Sequence, residues 1–412
     1  VPESIYGLRD RDLIALAMLG LLGLGTLMVQ SAAVNVTTTG AAVGLLDWTG
    51  RGSRHALYVA LAVLTFLISS RLDYRRLAGS TAVTSPAVWF TILAAMLCIA
   101  ALLPGVGAEV NGARRWLKIG PLTLQPSELA KWATVLFLAW RLSRPGTFTF
   151  VGGFVASSAI VGLLCLLVVI QDFGTAALIG TAAGLMLFAG PVKLRWLLAA
   201  IGPAAAAAVY FVWTEPYRMR RITAFLDPWA NPETDGYHVI QSLYSFAGGG
   251  WTGRGLGNGV QKLGYLPEDT TDFIFAVVSE ELGLAGGMLV ALAYLTILIA
   301  GLLVARKCPD PMGRLLVFGT VTTIGLQAAI NIAVATASVP TKGIALPLVS
   351  AGGTGLVCVA FMLGLVHSVA RNAPVAGEDG EWETLLRGKP SKGEATASKE
   401  GGGENELDDD QA

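Results

Sequence analysis

Trp251-Thr-Gly-Arg-Gly-Leu-Gly-Asn-Gly-Val-Gln-Lys262-Leu-Gly-Tyr-Leu-Pro-Glu268-Asp-Thr-Thr-Asp272 is rich in glycine and bears charge, and it stops abruptly at an apolar run from Phe273 to Ala305. That run exceeds the roughly 20 residues a helix needs to cross a bilayer, so it is expected to be tilted, broken or projecting. The loop is thus held at a membrane surface by its own last carboxylate, Asp272. A chain that only resides in a bilayer has no need of such a segment. A chain that acts on a charged, lipid-linked substrate at the interface does.

Working outward, apolar blocks of spanning length recur at 13–33, 55–71, 86–104, 126–142, 151–171, 173–190, 195–213, 273–305, 314–338 and 346–369. Hydrophobic residues make up 53% of the chain and charged residues 14%, with a mean hydropathy of +0.60. These values lie outside the soluble range. The expected fold class is an all-α polytopic membrane protein of about ten transmembrane helices, with a large extracytoplasmic loop, 214–272, between helices seven and eight. The first block lacks a small-residue cleavage site and reads as a retained helix. Residues 1–372 form the membrane domain, and the Gly/Glu/Asp/Lys-rich tail 373–412 is expected to be disordered. Cys98, Cys165, Cys308 and Cys358 are scattered, as are His55, His238 and His367, which suggests neither a disulfide framework nor a metal cluster.

Lys and Arg favour cytoplasmic loops. Arg71, Arg75, Arg76, Arg141, Arg144, Lys193, Arg195, Arg306, Lys307, Arg314 and Arg371 fall on the side of the termini, which is therefore read as cytoplasmic. Yet the opposite side carries Arg114, Arg115, Lys118, Arg218, Arg220, Arg221, Arg254, Lys262 and Lys342. Solvated loop charge accounts for these in one reading. In the other they hold an anionic group such as a phosphate, a reading favoured by their placement beside glycines and helix starts.

Ionisable groups within or at the mouth of apolar runs are costly unless paired or solvated. Glu128 and Lys131 fall at i,i+3 on the fourth helix, either as an internal ion pair or as a polar cavity wall. Asp172, at the turn between helices five and six, is either a helix cap or a site residue. Asp272 precedes a strongly apolar helix, where desolvation would raise its pKa towards that of a general base; capping is again the plainer reading. Glu280 and Glu281 read as structural. Lys342 reads as a lone cation beside the start of helix ten, which opens at Leu346-Pro-Leu-Val-Ser350-Ala-Gly-Gly353. Together these describe a cavity on one face with a carboxylate base and several cations.

Asn111-Gly-Ala-Arg-Arg-Trp116, Gln125-Pro-Ser-Glu128, Asp172-Phe-Gly-Thr, Gly236-Tyr-His-Val-Ile-Gln-Ser242, Gly255-Leu-Gly-Asn-Gly-Val-Gln-Lys262, Leu266-Pro-Glu, Thr271-Asp-Phe-Ile-Phe-Ala276 and Glu280-Glu-Leu-Gly283 occur in that order. In these motifs the chain resembles the SEDS family of peptidoglycan glycosyltransferases over everything but the acidic tail. Pro340-Thr-Lys-Gly343 resembles the cell-division, FtsW-like branch more than the RodA-like branch. The resemblance implies a ten-helix fold in the bacterial cytoplasmic membrane, both termini inside, polymerising lipid II on the outer face. Asp272 would deprotonate the acceptor sugar, and undecaprenyl pyrophosphate would leave the donor glycan. Arg114, Arg115, Trp116, Lys118, Glu128, Lys131, Asp172, Arg218, Lys262, Glu268, Lys342 and Ser350 are the implied substrate-binding residues. The outer cations, or a divalent ion such as Mg or Mn, would neutralise the leaving pyrophosphate; no other cofactor is implied. The implied partners are a class B penicillin-binding protein, other divisome proteins and membrane lipids, with no nucleic acid. Three departures stand out: Ile170-Gln171 before Asp172, Asp269-Thr270 where Ala-His is common, and Ala351 where tyrosine is usual. A lipid flippase, and a non-catalytic scaffold for a transpeptidase, are the competing readings.

Overall fold

A helix forms at each of the ten apolar segments: α1 (Asp10–Val34), α2 (Arg51–Arg71), α3 (Pro86–Leu102), α4 (Pro126–Leu142), α5 (Ala156–Val169), α6 (Phe173–Ala189), α7 (Leu194–Trp213), then α10 (Ile274–Lys307), α11 (Pro311–Ala335) and α12 (Gly353–Asn372). The computed structural model describes residues 9–34, 51–79, 81–110, 113–120, 122–144 and 149–372; the expectations for Asn111, Gly112 and the tail 373–412 lie outside the described residues. Among the described residues six helical segments, Asp10–Ala32, Phe150–Val169, α7, α10, α11 and α12, are long and apolar enough to cross a membrane. The chain is an integral membrane protein.

Proline sits in the first turn of α3, α4 and α11, where no intrahelical N–H is lost. Asp310 caps α11 by accepting from Gly313 N at 2.9 Å. The centre of the bundle is α4, α11 and α12, with α4 buried along most of its length. In contrast, α7 has no buried residue and presents apolar side chains outward, which suits lipid. One end of the bundle is tied by Lys307 to Asp10 at 2.5 Å and by Arg371 to the Arg71 carbonyl at 3.1 Å.

The other end departs from the all-α expectation. Residues 107–124 form an antiparallel three-stranded sheet, β1 (Gly107–Val110), β2 (Ala113–Ile119) and β3 (Leu122–Leu124). Arg114-Arg115-Trp116-Leu117-Lys118 makes the body of β2, whose register against β1 shifts between Ala108 and Glu109. The loop 214–272 holds two helices, α8 (Pro216–Leu226) and α9 (Tyr237–Gly249). Helix ten does not open at Leu346. Pro347 lacks an N–H, Leu348 adopts φ 65°, and α12 begins only at Gly353.

The long apolar run is broken, and the break organises the glycine-rich loop. Gly283 has φ 70° and ψ −168° inside α10. Opposite it, Arg254 N and Gly255 N donate to the Glu280 and Glu281 carbonyls at 3.0 Å each, and Leu284 N donates to Gly250 O at 2.9 Å. The carboxylates of the same two residues hold the loop itself. Glu280 accepts from Val260 N at 2.8 Å and Gln261 N at 3.1 Å. Glu281 accepts from Gly257 N at 3.0 Å, Ser31 Oγ at 3.0 Å and Lys262 Nζ at 2.6 Å.

A Cβ on residue 283 would lie 2.3 Å from Gly253 N, in a backbone conformation L residues avoid. Gly283→Ala is therefore expected to destabilise the protein by at least ~2 kcal/mol. Thermal unfolding in detergent reads this; an unchanged transition would show that the break tolerates a side chain.

Candidate active site

Asp272 is the last residue of the loop before the buried first turns of α10, Ile274–Glu281. It does not act as the side-chain cap of α10; Phe273 occupies that position, without a side-chain cap bond. The turn before it is tight, with Glu268 at φ 55° and Thr271 Oγ1 donating to Glu268 Oε2 at 2.9 Å. Burial pushes the Asp272 carboxyl up to about 7, Glu268 and Asp172 push it the same way, and Arg221 and Arg115 oppose them. A carboxylate so placed gains a proton readily near neutrality, which is what a general base requires. Gly343 packs against it: a Cβ there would stand 3.0 Å from Asp272 Oδ2. Beside the same turn, His238 of α9 stacks on Phe273 at 5.9 Å.

Two cations, Arg115 and Arg221, act on this carboxylate from separate elements, and Lys342 lies within reach of Asp172 and Arg221. Arg115 comes from β2, where the register against β1 shifts: Trp116 pairs with Ala108 and Arg114 with Glu109, so Arg115 is the extra residue of a bulge. Leu117 is buried, and Arg114 pairs with Glu109 at 3.4 Å. Arg115 also lines a cavity of about 20 Å³ with Asp172, Gln171, Ser127 and Cys98, room for a water molecule. Arg221, from α8, donates to the Thr341 carbonyl at 3.1 Å and to the Tyr217 hydroxyl. Lys342 lies 4.8 Å over the Phe173 ring at the start of α6, and burial lowers its pKa against the opposing pull of Asp172. Asp172 caps α6 by accepting from Thr175 N at 3.1 Å, and its charge also acts on Asp272 and Lys342. Lys342 is thus beside α6 and not beside the start of α12.

Other candidates are engaged elsewhere. The Lys262 ammonium is fully buried on Glu281, Ser31 and the Gly257 carbonyl, all within 2.8 Å, and so holds the loop and not a ligand. Arg218 donates to the Phe211 carbonyl at 2.6 Å and the Val169 carbonyl at 3.0 Å, anchoring α8 to the ends of α7 and α5. Lys131 is 1% exposed and bonds Glu128 at 2.8 Å and Gln327 Oε1 at 2.6 Å, the internal-pair reading. Ser350 donates to the Thr271 carbonyl at 2.6 Å and accepts from Leu346 N at 2.7 Å. Among the described residues no three His, Cys, Asp or Glu side chains converge as a metal site.

Sequence reasoning left Arg221 out of the site set and passed over Gln327 and Asn331 entirely. The available signal for the last two was a pair of amides at i,i+4 in an otherwise apolar helix, α11.

The FtsW/RodA/SpoVE family, described as Cell cycle protein, matches residues 11–374. The chain belongs to this family. A probable peptidoglycan glycosyltransferase FtsW of Geobacter metallireducens is 36% identical over 363 residues, 87% of this chain and 94% of that protein. One of the same description from Nitrosococcus halophilus is 39% identical over 361 residues, 84% of this chain and 89% of that protein. Among solved structures, a chain from work described as structural coordination of polymerization and crosslinking by a peptidoglycan synthase complex superposes with a TM-score of 0.68 at 29% identity. It covers 87% of this chain and 97% of that one. Thermus thermophilus RodA, a rod shape determining protein, shares the fold at TM-score 0.62 and 24% identity, over 87% of this chain and 96% of that one. For an FtsW/RodA/SpoVE family member, the cluster of Asp272, Arg115, Arg221, Lys342 and Asp172 is the candidate active site.

Proposed function

We propose that this protein is a peptidoglycan glycosyltransferase of the cell-division branch, polymerising lipid II with Asp272 as general base. One observation carries the assignment of the base: Asp272 has a carboxyl raised to about 7 and faces cations from β2 and α8. The Asp272 carboxylate takes the proton of the acceptor sugar's 4-hydroxyl, and that oxygen attacks the anomeric carbon of the growing chain. The bond from that carbon to the pyrophosphate breaks in the same displacement, so the configuration inverts and no covalent enzyme intermediate forms. Arg115, Arg221 and Lys342 meet the negative charge that develops on the leaving pyrophosphate. Asp172 opposes the burial that lowers the Lys342 pKa.

In this reading ten helices cross the cytoplasmic membrane with both termini inside. The sheet, the 214–272 loop and the 336–352 segment then face outward, where a class B penicillin-binding protein crosslinks the strands made. The test is the purified protein in detergent with its cognate transpeptidase and labelled lipid II. Glycan strands are expected, and their absence with an active transpeptidase present would sink the reading.

The pH dependence has a definite sign. The base works only when ionised, and its pKa is raised, so the working form is lost as pH falls through about 7. Rates are expected to fall about tenfold per pH unit below that point and to level off above it. A profile flat down to the ordinary carboxylate range would remove Asp272 from the role of base.

A further inference from the structure

Three consecutive carbonyls lead into the base, and each accepts a hydrogen bond from the segment that joins α11 to α12 or from α11 itself. Ala351 N donates to Thr270 O at 2.9 Å, Ser350 Oγ to Thr271 O at 2.6 Å, and Asn331 Nδ2 to Asp272 O at 2.8 Å. We propose that Asn331 and Ser350 are positioning residues that clamp the Asp272 turn, setting the place and burial of the base without touching substrate. The proposal rests on the glycosyltransferase reading for its kinetic arm only.

The clamp is itself braced. Asn331 Nδ2 also donates to Ile344 O at 2.7 Å, and one turn earlier Gln327 Nε2 donates to Ala345 O at 2.8 Å. Lys131 donates to Gln327 Oε1, so the buried Lys131–Glu128 pair of α4 holds the amide that holds the segment. Tyr294 of α10 donates to Pro347 O, and Leu348 keeps a left-handed backbone that persists only where its surroundings enforce it. A loop carboxylate would otherwise sample many positions, and an error of about 1 Å at a reacting group costs about 10²-fold in rate. Asn331 and Ser350 are 1% and 2% exposed, so neither is open to a ligand.

Charges face Asp272 from every side: Glu268 from its own turn, Asp172 from the start of α6, Arg115 from β2 and Arg221 from α8. Loosening the turn lets water reach the carboxylate, which lowers its pKa towards the ordinary range. A structural role alone would not move that quantity in a folded variant.

The test compares Asn331→Ala, Ser350→Ala and Ser350→Thr in the full chain with its transpeptidase. It reads kcat and KM for lipid II, the acid limb of the pH profile, and the unfolding temperature. A substrate-free arm follows modification of Asp272 by a hydrophobic carbodiimide, which attacks protonated carboxyls and is located by mass spectrometry. Both alanine variants are expected to lose about 10²-fold in kcat with KM unchanged, to move the acid limb to lower pH and to slow Asp272 labelling near neutral pH. Ser350→Thr restores all three. Folded alanine variants with wild-type kcat, pH limb and labelling overturn the proposal, as does a rise in KM at constant kcat, which would mark a substrate contact. If Asn331→Ala does not fold, the Ser350 pair decides. If the wild type makes no glycan, the glycosyltransferase reading fails while the labelling arm still decides the clamp.

Discussion

Asp272→Asn is expected to abolish glycan synthesis, by about 10³-fold or more, while leaving the protein folded and able to bind its transpeptidase. Asparagine preserves the shape that packs against Gly343, where a Cβ would lie only 3.0 Å from the carboxylate, so the loss reports chemistry and not geometry. The amide cannot take the acceptor proton, and none of Arg115, Arg221 or Lys342 can substitute as a base while charged. The same variant has a second signature, in stability. The folded pKa of Asp272, about 7, lies above its ordinary 3.8, so the folded state holds the proton more tightly than the unfolded chain does. Stability from this group is therefore greatest at low pH and declines as pH rises from the ordinary value through about 7. Removing the charge should raise the unfolding temperature by ~2–4 °C above neutral pH and change it little in acid. An asparagine variant that polymerises as well as wild type would refute the assignment of the base. A variant that loses activity and stability together would point instead to a structural carboxylate.

Lys262→Met is expected to be the most destabilising of the loop substitutions, by ~3–5 kcal/mol, because it strands the Glu281 carboxylate in a site with no access to water. Both side chains of the pair are 0% exposed, 2.6 Å apart, at the break in α10. Glu281 would keep Ser31 Oγ and Gly257 N as donors, but two neutral hydrogen bonds do not replace an ammonium beside a buried anion. Adding Glu281→Gln to Lys262→Met removes the stranded charge and should recover part of the loss. Thermal unfolding in detergent measures the stability, and limited proteolysis between Trp251 and Asp272 reports whether the loop has come away from the break. A loss under ~1 kcal/mol with an intact loop would show the pair to be hydrated and weak. Polymerisation should fall in proportion to the folded population, which separates this variant from Asp272→Asn.

The contrast between these two sites shows where sequence reading carries and where it stops. Lys262 and Lys342 look alike in the chain, each a lone cation among glycines and apolar residues, yet one is sealed inside on Glu281 and the other stands near Asp172 over Phe173. Nothing within a few residues of either distinguishes them. In β2, likewise, Arg115 is set apart by the shift in register against β1, which only the pairing of the strands reveals. The 273–305 run, expected to be tilted, broken or projecting, is broken at Gly283. A span of that length with a glycine beside two carboxylates carries its own signal of interruption.

The sequence by itself determined the membrane class, the places of the long helices, the family and the prominence of Asp272, because apolar length, helix punctuation and ordered motifs are local properties of the chain. Only the tertiary structure decided which cations act on Asp272, that Arg218 and Lys262 serve as anchors, and that Asn331 and Ser350 bond the turn that carries Asp272. Ser350 lies 79 residues from Thr271, Asn331 lies 59 from Asp272, and Lys131 lies 196 from Gln327. A buried hydrogen-bond donor finds its acceptor through the packing of whole helices, and that packing has no signature within reach of either residue.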